Sequence, residues 1–346
     1  MITLTWGNLP EDKVEAIVNT VNCVGVMGKG IALQFKQGFP DNFKAYARAC
    51  KNSDVRLGKM FIFSTDSFVN LKYIINFPTK NHRRGKSKIE DVETGLADLA
   101  KELCRLKIKS IAIPPLGCGY GGLSWADVRR MVENTFKNLP EIEVHLYEPK
   151  GAPEAESMPI DTKTPNMTKS RALFIKLLQQ YTIPGYRLSL LEIQKLAYFL
   201  QISGEPLRLK YEKHTYDPYA ENLNFVLQHI EGHFIRGYGD RSRKASIQLL
   251  PGAEEQADNF LKNSPEATKH LSRVANLIEG FETPYGMELL SSVHWVCMDK
   301  KNPAQNTDKT CEKIFTWNAR KKKTFEKSHI IKARNRLSEQ NWLGIS

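Results

Sequence analysis

Residues 1–149 alternate short strand-like runs with stretches of helical periodicity, and no other feature of the 346-residue chain constrains its fold as strongly. ITLTWGN reads as a strand and AIVNTV as a buried one, whereas GIALQFKQGF and the stretch up to Cys50 read as helix. MFIFSTD and KYIINFPT are again strand-like, and IEDVETGLADLAKELCRLK spaces its apolar residues as a helix does. SIAIPPL, WADVRRMVENTFKNL and EVHLYEP continue as strand, helix and strand. Short β-rich runs buried on both faces need helices on both sides of the sheet, so the expected fold is a three-layer α/β domain over 1–149.

The pattern then changes. Residues 150–169, KGAPEAESMPIDTKTPNMTK, are rich in Pro, Thr and acid and carry no periodicity, which reads as a linker. From 170 to 346 the segments RALFIKLLQQY, LSLLEIQKLAYFLQ, ENLNFVLQHIEGHFI and AEEQADNFLKN and a long basic end read as a mostly helical second domain. Length alone agrees with two domains. Tyr211, Tyr216, Tyr219 and Phe234 are expected to pack in its core.

Composition removes several classes. Hydrophobic residues make up 41% of the chain, ordinary for a protein with a real core, and no apolar run is long enough to span a bilayer. The N-terminus lacks the layout of a signal peptide. Cys23, Cys50, Cys104, Cys118, Cys297 and Cys311 form no C-x-x-C pair, so neither zinc nor a disulfide framework is expected, and the expected location is a reducing cytoplasm. No cofactor or metal site is expected. The net charge of +12 invites a polyanion. The run Arg320-Lys321-Lys322-Lys323 reads either as part of that invitation or as a solvated helix face.

Three loops, each following a separate buried strand, carry the chemistry. In NTVNCVGVMGKGIA, the amides Asn19 and Asn22 precede Gly25, Gly28 and Gly30, which let backbone approach an anion at a helix start. In PPLGCGYGGLSW, Gly117, Gly119, Gly121 and Gly122 leave little bulk, so a pyrophosphate can lie against successive amides, and Ser124 with Asp127 resembles a helix start. PTKNHRRGKS, from Pro78, follows KYIINF. Each loop taken singly reads as a tight turn or a solvated basic loop. Together they describe a phosphorylated ligand lying across strand ends.

IVNTVN…MGKGIA…F, PTK-x-H-x-R and PPLGCGYGGLSW resemble the macrodomain, an ADP-ribose-binding fold with a mixed central sheet. Within it, they are most similar to the DNA ADP-ribosyl glycohydrolase antitoxins called DarG, and more distantly to terminal ADP-ribose glycohydrolases that use a catalytic lysine. KLAYFLQ, YDPYAENLN and IEGHFIRGYGD in the second half are similar to the C-terminal region of the same antitoxins. The resemblance implies Lys80 as the catalytic residue and Asn22 as the amide that orients the distal ribose. It places Gly28, Lys29 and Gly30 along the distal ribose and phosphates, and Gly117, Cys118, Gly119 and Tyr120 in the diphosphate loop. Leu9, Asn19, Ile31, Ala32, Thr79, Pro115, Leu116 and Gly121 complete the implied ADP-ribose set. His82, Arg83, Arg84 and Lys86 would meet DNA. The implied partners are ADP-ribosylated DNA, entering single-stranded or unpaired, and a DarT-type DNA ADP-ribosyltransferase toxin held by the second domain; no membrane is involved.

Three departures matter. Asn8 stands where many macrodomains carry an aspartate that accepts from the adenine amino group. Gly121 stands where the terminal glycohydrolases place an aspartate, and Arg83 replaces the usual aromatic between His82 and Arg84. The implied reaction breaks the N-glycosidic bond between ADP-ribose and a base, most often thymine in this family. Lys80 then acts either as an ammonium that assists the departing base or as a neutral amine that attacks the ribose carbon. A non-catalytic ADP-ribose reader, an O-acyl-ADP-ribose deacylase and a purely protein-binding antitoxin remain as alternatives. Acidic residues in Glu254–Glu288 are candidates for imitating a DNA strand toward the toxin.

Overall fold

Six strands realise the alternation read from the first 149 residues: β1 (Ile2–Thr5), β2 (Ala16–Asn22), β3 (Phe61–Ser64), β4 (Tyr73–Lys80), β5 (Ser110–Ile113) and β6 (Glu143–Tyr147). Their order is β1-β6-β5-β2-β4-β3, with every neighbouring pair parallel except β3–β4, so the sheet is mixed. The computed structural model describes residues 1–67, 71–181, 186–214, 218–241 and 245–344. Tyr216 therefore lies outside the described residues. Two compact units emerge, Met1–Lys163 with a short stretch from Gly239, and the remainder from Thr164.

Period-two alternation sends side chains to opposite faces of the sheet. On one face Ala16, Val18, Ile75, Phe77, Ile111, Ile113, Val144 and Leu146 pack under helices α3 (Ile89–Leu106) and α4 (Trp125–Lys137). On the other, Ile17, Ile74, Ala112 and Tyr147 pack with Phe35 of helix α1 (Gly30–Gly38), and Val21 packs with Tyr46 and Ala49 of α2 (Pro40–Lys51). The neighbouring strands β2 and β5 thus lead to helices on opposite faces. That divergence opens a crevice at their carboxyl ends.

Three sequence expectations need correcting. The helix expected through Cys50 breaks at Phe39, where φ −138° and ψ 68° leave the helical region ahead of Pro40. Strand β4 runs on through Pro78, Thr79 and Lys80, so the third loop begins at Asn81, not at Pro78. Proline is tolerated there because β3 pairs only with Tyr73–Asn76, leaving no partner on that side to lose a donor. The stretch up to Lys163 clusters with the first unit: Met158 is buried, Asp161 N–H donates to the Gln37 carbonyl (2.9 Å), and Pro159 lies against Gly38. It is a strap along α1.

The second unit contains α5 (Lys169–Tyr181), α6 (Leu190–Ile202), α7 (Leu223–Ile230), α8 (Ala253–Leu261), α9 (Pro265–Ile278), α10 (Pro284–Cys297), α11 (Thr307–Trp317), α12 (Ala319–Thr324) and α13 (Lys327–Glu339), with a few short strands. α6 and α10 are buried nearly all round, as central helices must be. A capping box at Ser189 and Glu192 starts α6. The basic run is no simple solvated face. Lys321 is 0% exposed, its ammonium bonded to Glu288 (3.1 Å) and Ser292 (2.8 Å) and lying over the Trp317 and Phe325 rings. Glu288 is correspondingly buried and paired, which removes it from any acidic surface. Glu279 and Glu282 stay exposed.

Candidate active site

Strand register brings the site together. Asn22 and Lys80 are paired positions across parallel β2 and β4, and the Cys23 N–H donates to the Asn81 carbonyl just beyond (3.2 Å). The Asn22 amide is engaged at both ends. Its Oδ1 accepts from Val24 N–H (3.0 Å) and Val26 N–H (3.4 Å), while Nδ2 donates to the Val26 carbonyl (2.6 Å). Tyr46 donates its hydroxyl to the Asn22 carbonyl (2.5 Å). Asn22 therefore clamps the 22–26 turn, and one remaining N–H is what it has for a ribose.

Several other expected ligand residues are shielded from water. Leu9, Asn19, Thr79 and Leu116 are buried. Asn19 Nδ2 donates to Asn76 Oδ1 (3.1 Å), Asn76 exchanges hydrogen bonds with Asn42, and Thr79 donates to the Val21 carbonyl (3.4 Å). Ile31 and Ala32 are half-buried in the first turn of α1, packed toward the core, and Pro115 is half-buried.

The two glycine loops have the backbone the sequence required. Gly25 and Gly30 adopt φ of +73° and +58°, and Gly117 adopts +69°, conformations natural to glycine. The amides of Cys118, Gly122 and Leu123 close the second loop by bonding to the carbonyls of Pro115, Gly119 and Gly117. Successive amides of Gly119, Tyr120 and Gly121 donate to nothing among the described residues, an arrangement able to cradle a phosphate. In the first loop Gly28 is half-buried, and the Gly30 amide donates to the carbonyl of Asp240 (3.0 Å), a residue of the same unit. The loops meet where the Lys29 ammonium lies 5.8 Å from the ring centre of Tyr120, itself 60% exposed. Ser124 is the N-cap residue of α4, but its side chain makes no capping bond.

Lys80 is half-buried, and its ammonium has no hydrogen-bond or ion-pair partner among the described residues. Burial, and secondarily the Lys86 charge, hold its pKa below the ordinary lysine value. Cys118 differs: burial pushes its thiol up to about 11, so it stays protonated at neutral pH and is no nucleophile. His82, Arg83, Arg84 and Lys86 form an exposed turn, with the Arg84 N–H donating to His82 Nδ1 (3.3 Å). Arg83, Arg84 and Lys86 are not ion-paired among the described residues, which leaves their charge available to phosphates.

A macro domain family model matches residues 18–132. A Thermus aquaticus protein described as a DNA ADP-ribosyl glycohydrolase is 44% identical over 344 residues, covering 99% of this chain and 94% of its own length. The chain belongs to the DNA ADP-ribosyl glycohydrolase family. A Mycobacterium tuberculosis relative of the same description is 37% identical over 353 residues, covering 97% of this chain and 99% of its own. A Thermosipho africanus DNA ADP-ribosyl transferase–DNA ADP-ribosyl glycohydrolase fusion protein is 33% identical over 175 residues, covering 46% of this chain and 45% of its own.

For this member of the glycohydrolase family, the structure explains the glycine at 121. A Cβ there would sit 2.3 Å from both the Gly117 carbonyl oxygen and Ser87 Oγ, so no carboxylate fits. Ser87, missed in the sequence, ties the loop after Lys80 to the second glycine loop: its N–H donates to the Gly121 carbonyl (3.1 Å), and its buried hydroxyl has no partner among the described residues. Tyr46, Asn42 and Asn76 were also missed. For Asn76 a signal existed, since KYIIN and AIVN carry asparagine at register-matched positions. Among the described residues no group of three or more His, Cys, Asp or Glu gathers to hold a metal, no helix is long and apolar enough to cross a membrane, and all six cysteines are free.

Proposed function

We propose that this chain removes ADP-ribose from DNA bases, thymidine foremost, by hydrolysing the N-glycosidic bond, and that its second unit binds a DarT-type toxin. The observation that carries the reading is the pairing of Asn22 with Lys80 at adjacent strand ends, beside a loop of unengaged amides. Family membership supports the reaction class, and a relative that fuses transferase and glycohydrolase supports the partner.

Lys80 is the nucleophile in this reading. Its lowered pKa raises the neutral fraction, and no carboxylate fits at 121 to serve as a second catalytic group. The Nζ lone pair bonds to the anomeric carbon as the carbon–nitrogen bond to the base breaks, its electrons passing to the thymine imide nitrogen. The proton left on Nζ is available to the departing base, and water then releases ADP-ribose and restores the lysine. Gly119–Gly121 hold the diphosphate, and Arg83 and Arg84 hold the flanking strand, single-stranded or locally unpaired. A reader without turnover has no use for a half-buried, unpaired lysine at that place.

The test is an ADP-ribosylated single-stranded oligonucleotide incubated with wild type and Lys80→Ala. Turnover should fall by roughly 10²–10⁴-fold while free ADP-ribose still binds. Turnover equal to wild type would refute the assignment.

A further inference from the structure

The sequence groups Lys86 with His82, Arg83 and Arg84 as residues that meet DNA, but its side chain takes a different course. The Gly85 N–H donates to the His82 carbonyl (2.9 Å), which folds the loop back, and the Ser87 N–H then pins it to the Gly121 carbonyl (3.1 Å). The tail of Lys86 lies along the second glycine loop: a Cβ at Gly122 would sit 3.2 Å from its Nζ and 3.6 Å from its Cδ. Gly119, Tyr120 and Gly121, whose amides donate to nothing among the described residues, precede Gly122 in the same loop. Lys86 is also close enough to Lys80 for its charge to favour loss of the Lys80 proton. One exposed ammonium, without an ion pair among the described residues, thus reaches both the loop of unengaged amides and the reacting lysine.

We propose that Lys86 is a diphosphate ligand rather than a DNA contact: its ammonium pairs with the substrate's phosphates over the second glycine loop, and this countercharge keeps the anion from fixing a proton on Lys80. The inference rests on the reading that ADP-ribose occupies this crevice with Lys80 at its anomeric carbon. A diphosphate brings negative charge close to Lys80, and a nearby anion favours the protonated amine, the form that cannot attack. A cation against the same loop offsets that field. The other groups around Lys80 do not supply one. Asn22, paired with it across β2, is a neutral amide, and burial pushes the Cys23 thiol up to about 11, so it is uncharged at neutral pH. Asp91, at the start of α3, acts on Cys23 and has the wrong sign. Of the cations on the loop, Lys86 is the one whose charge acts on Lys80.

Calorimetric titration of the full chain with ADP-ribose and with an unmodified single-stranded oligonucleotide separates the two assignments. Lys86→Gln should bind ADP-ribose about three to ten times more weakly, yet bind the oligonucleotide as wild type does. Arg83→Ala with Arg84→Ala should do the reverse. Lys86→Arg, which keeps the cation, should hold most of the ADP-ribose affinity. With saturating modified oligonucleotide, the rise of kcat with pH should move to higher pH in Lys86→Gln and stay in place in Lys86→Arg, a response that a merely structural role would not give. Unchanged ADP-ribose affinity in Lys86→Gln, a loss of oligonucleotide affinity in its place, or a kcat profile that does not move would each overturn the proposal. A wild type that binds no ADP-ribose, or a Lys80→Ala variant that turns over as wild type does, would instead remove the reading beneath it, and the inference with it.

Discussion

Lys80 at the end of β4 and Lys86 in the loop that follows are two cations with no acid between them in sequence, and that pairing sets how the site responds to pH. Both burial and the Lys86 charge favour loss of the Lys80 proton. If the neutral amine is the working form, turnover rises with pH through an apparent pKa below the ordinary lysine value of about 10.4. Removing the neighbouring charge in Lys86→Gln should move that rise to higher pH, which a pH–rate profile measures; a rise that does not move would separate the two residues. Ser87 makes a second residue-scale prediction. Its hydroxyl is buried and unpartnered, so Ser87→Ala should leave the melting temperature of the chain unchanged or raise it. Gly121→Ala should destabilise by about 1–3 kcal/mol, because its new methyl meets the Gly117 backbone carbonyl, which cannot yield as a flexible side chain would, as well as the Ser87 hydroxyl. Lys80 was singled out by the family resemblance rather than by its own context, but the positive-φ glycine loops were legible in the sequence because their chemistry is local: a residue type, at a spacing, after a strand. Ser87, Tyr46 and Asn42 were not, because each matters through a contact with a distant segment.

At the scale of elements, the strands and helices of the first unit were legible because buried β-runs and amphipathic helices differ in period. What escaped were boundaries decided by neighbours. Lys80 looked like a loop residue, yet β2 extends pairing to it, and this holds its backbone on a rigid strand rather than a loop tip. The strap looked like a linker because an extended segment that packs through Met158 and Pro159 has no period to detect. Helix α12 carries the clearest energetic consequence. Burial alone would raise the Glu288 pKa, but Arg320 and Lys321 outweigh it and hold the carboxyl below the ordinary range. Glu288→Ala strands the Lys321 ammonium in the interior and should cost about 3–5 kcal/mol in chemical denaturation.

Across the whole molecule, the two units have separate cores and separate sensitivities. In the second, His294 accepts from the Tyr198 hydroxyl (2.6 Å) through Nδ1 and donates to the Trp342 carbonyl (3.2 Å) through Nε2. Burial pushes its imidazole down to about 4. Because the folded pKa lies below the unfolded value of about 6.5, the associated stability is present above pH 6.5 and is lost as the pH falls toward 4, by roughly 3 kcal/mol. Acid denaturation of wild type against His294→Gln measures it; the variant should lack that loss. In the first unit, Arg83→Ala with Arg84→Ala should reduce the salt dependence of binding to a modified oligonucleotide by up to about two in the slope of log K against log salt.

Every part of this account requires ADP-ribose to lie across the ends of β2, β4 and β5. A crystal structure of the full chain with ADP-ribose tests that directly. The account predicts the diphosphate against the amides of Gly119–Gly121 and the Lys80 ammonium about 3–3.5 Å from the anomeric carbon, a distance suited to attack. A sugar bound elsewhere, or a Lys80 turned away from it, would contradict the assignment.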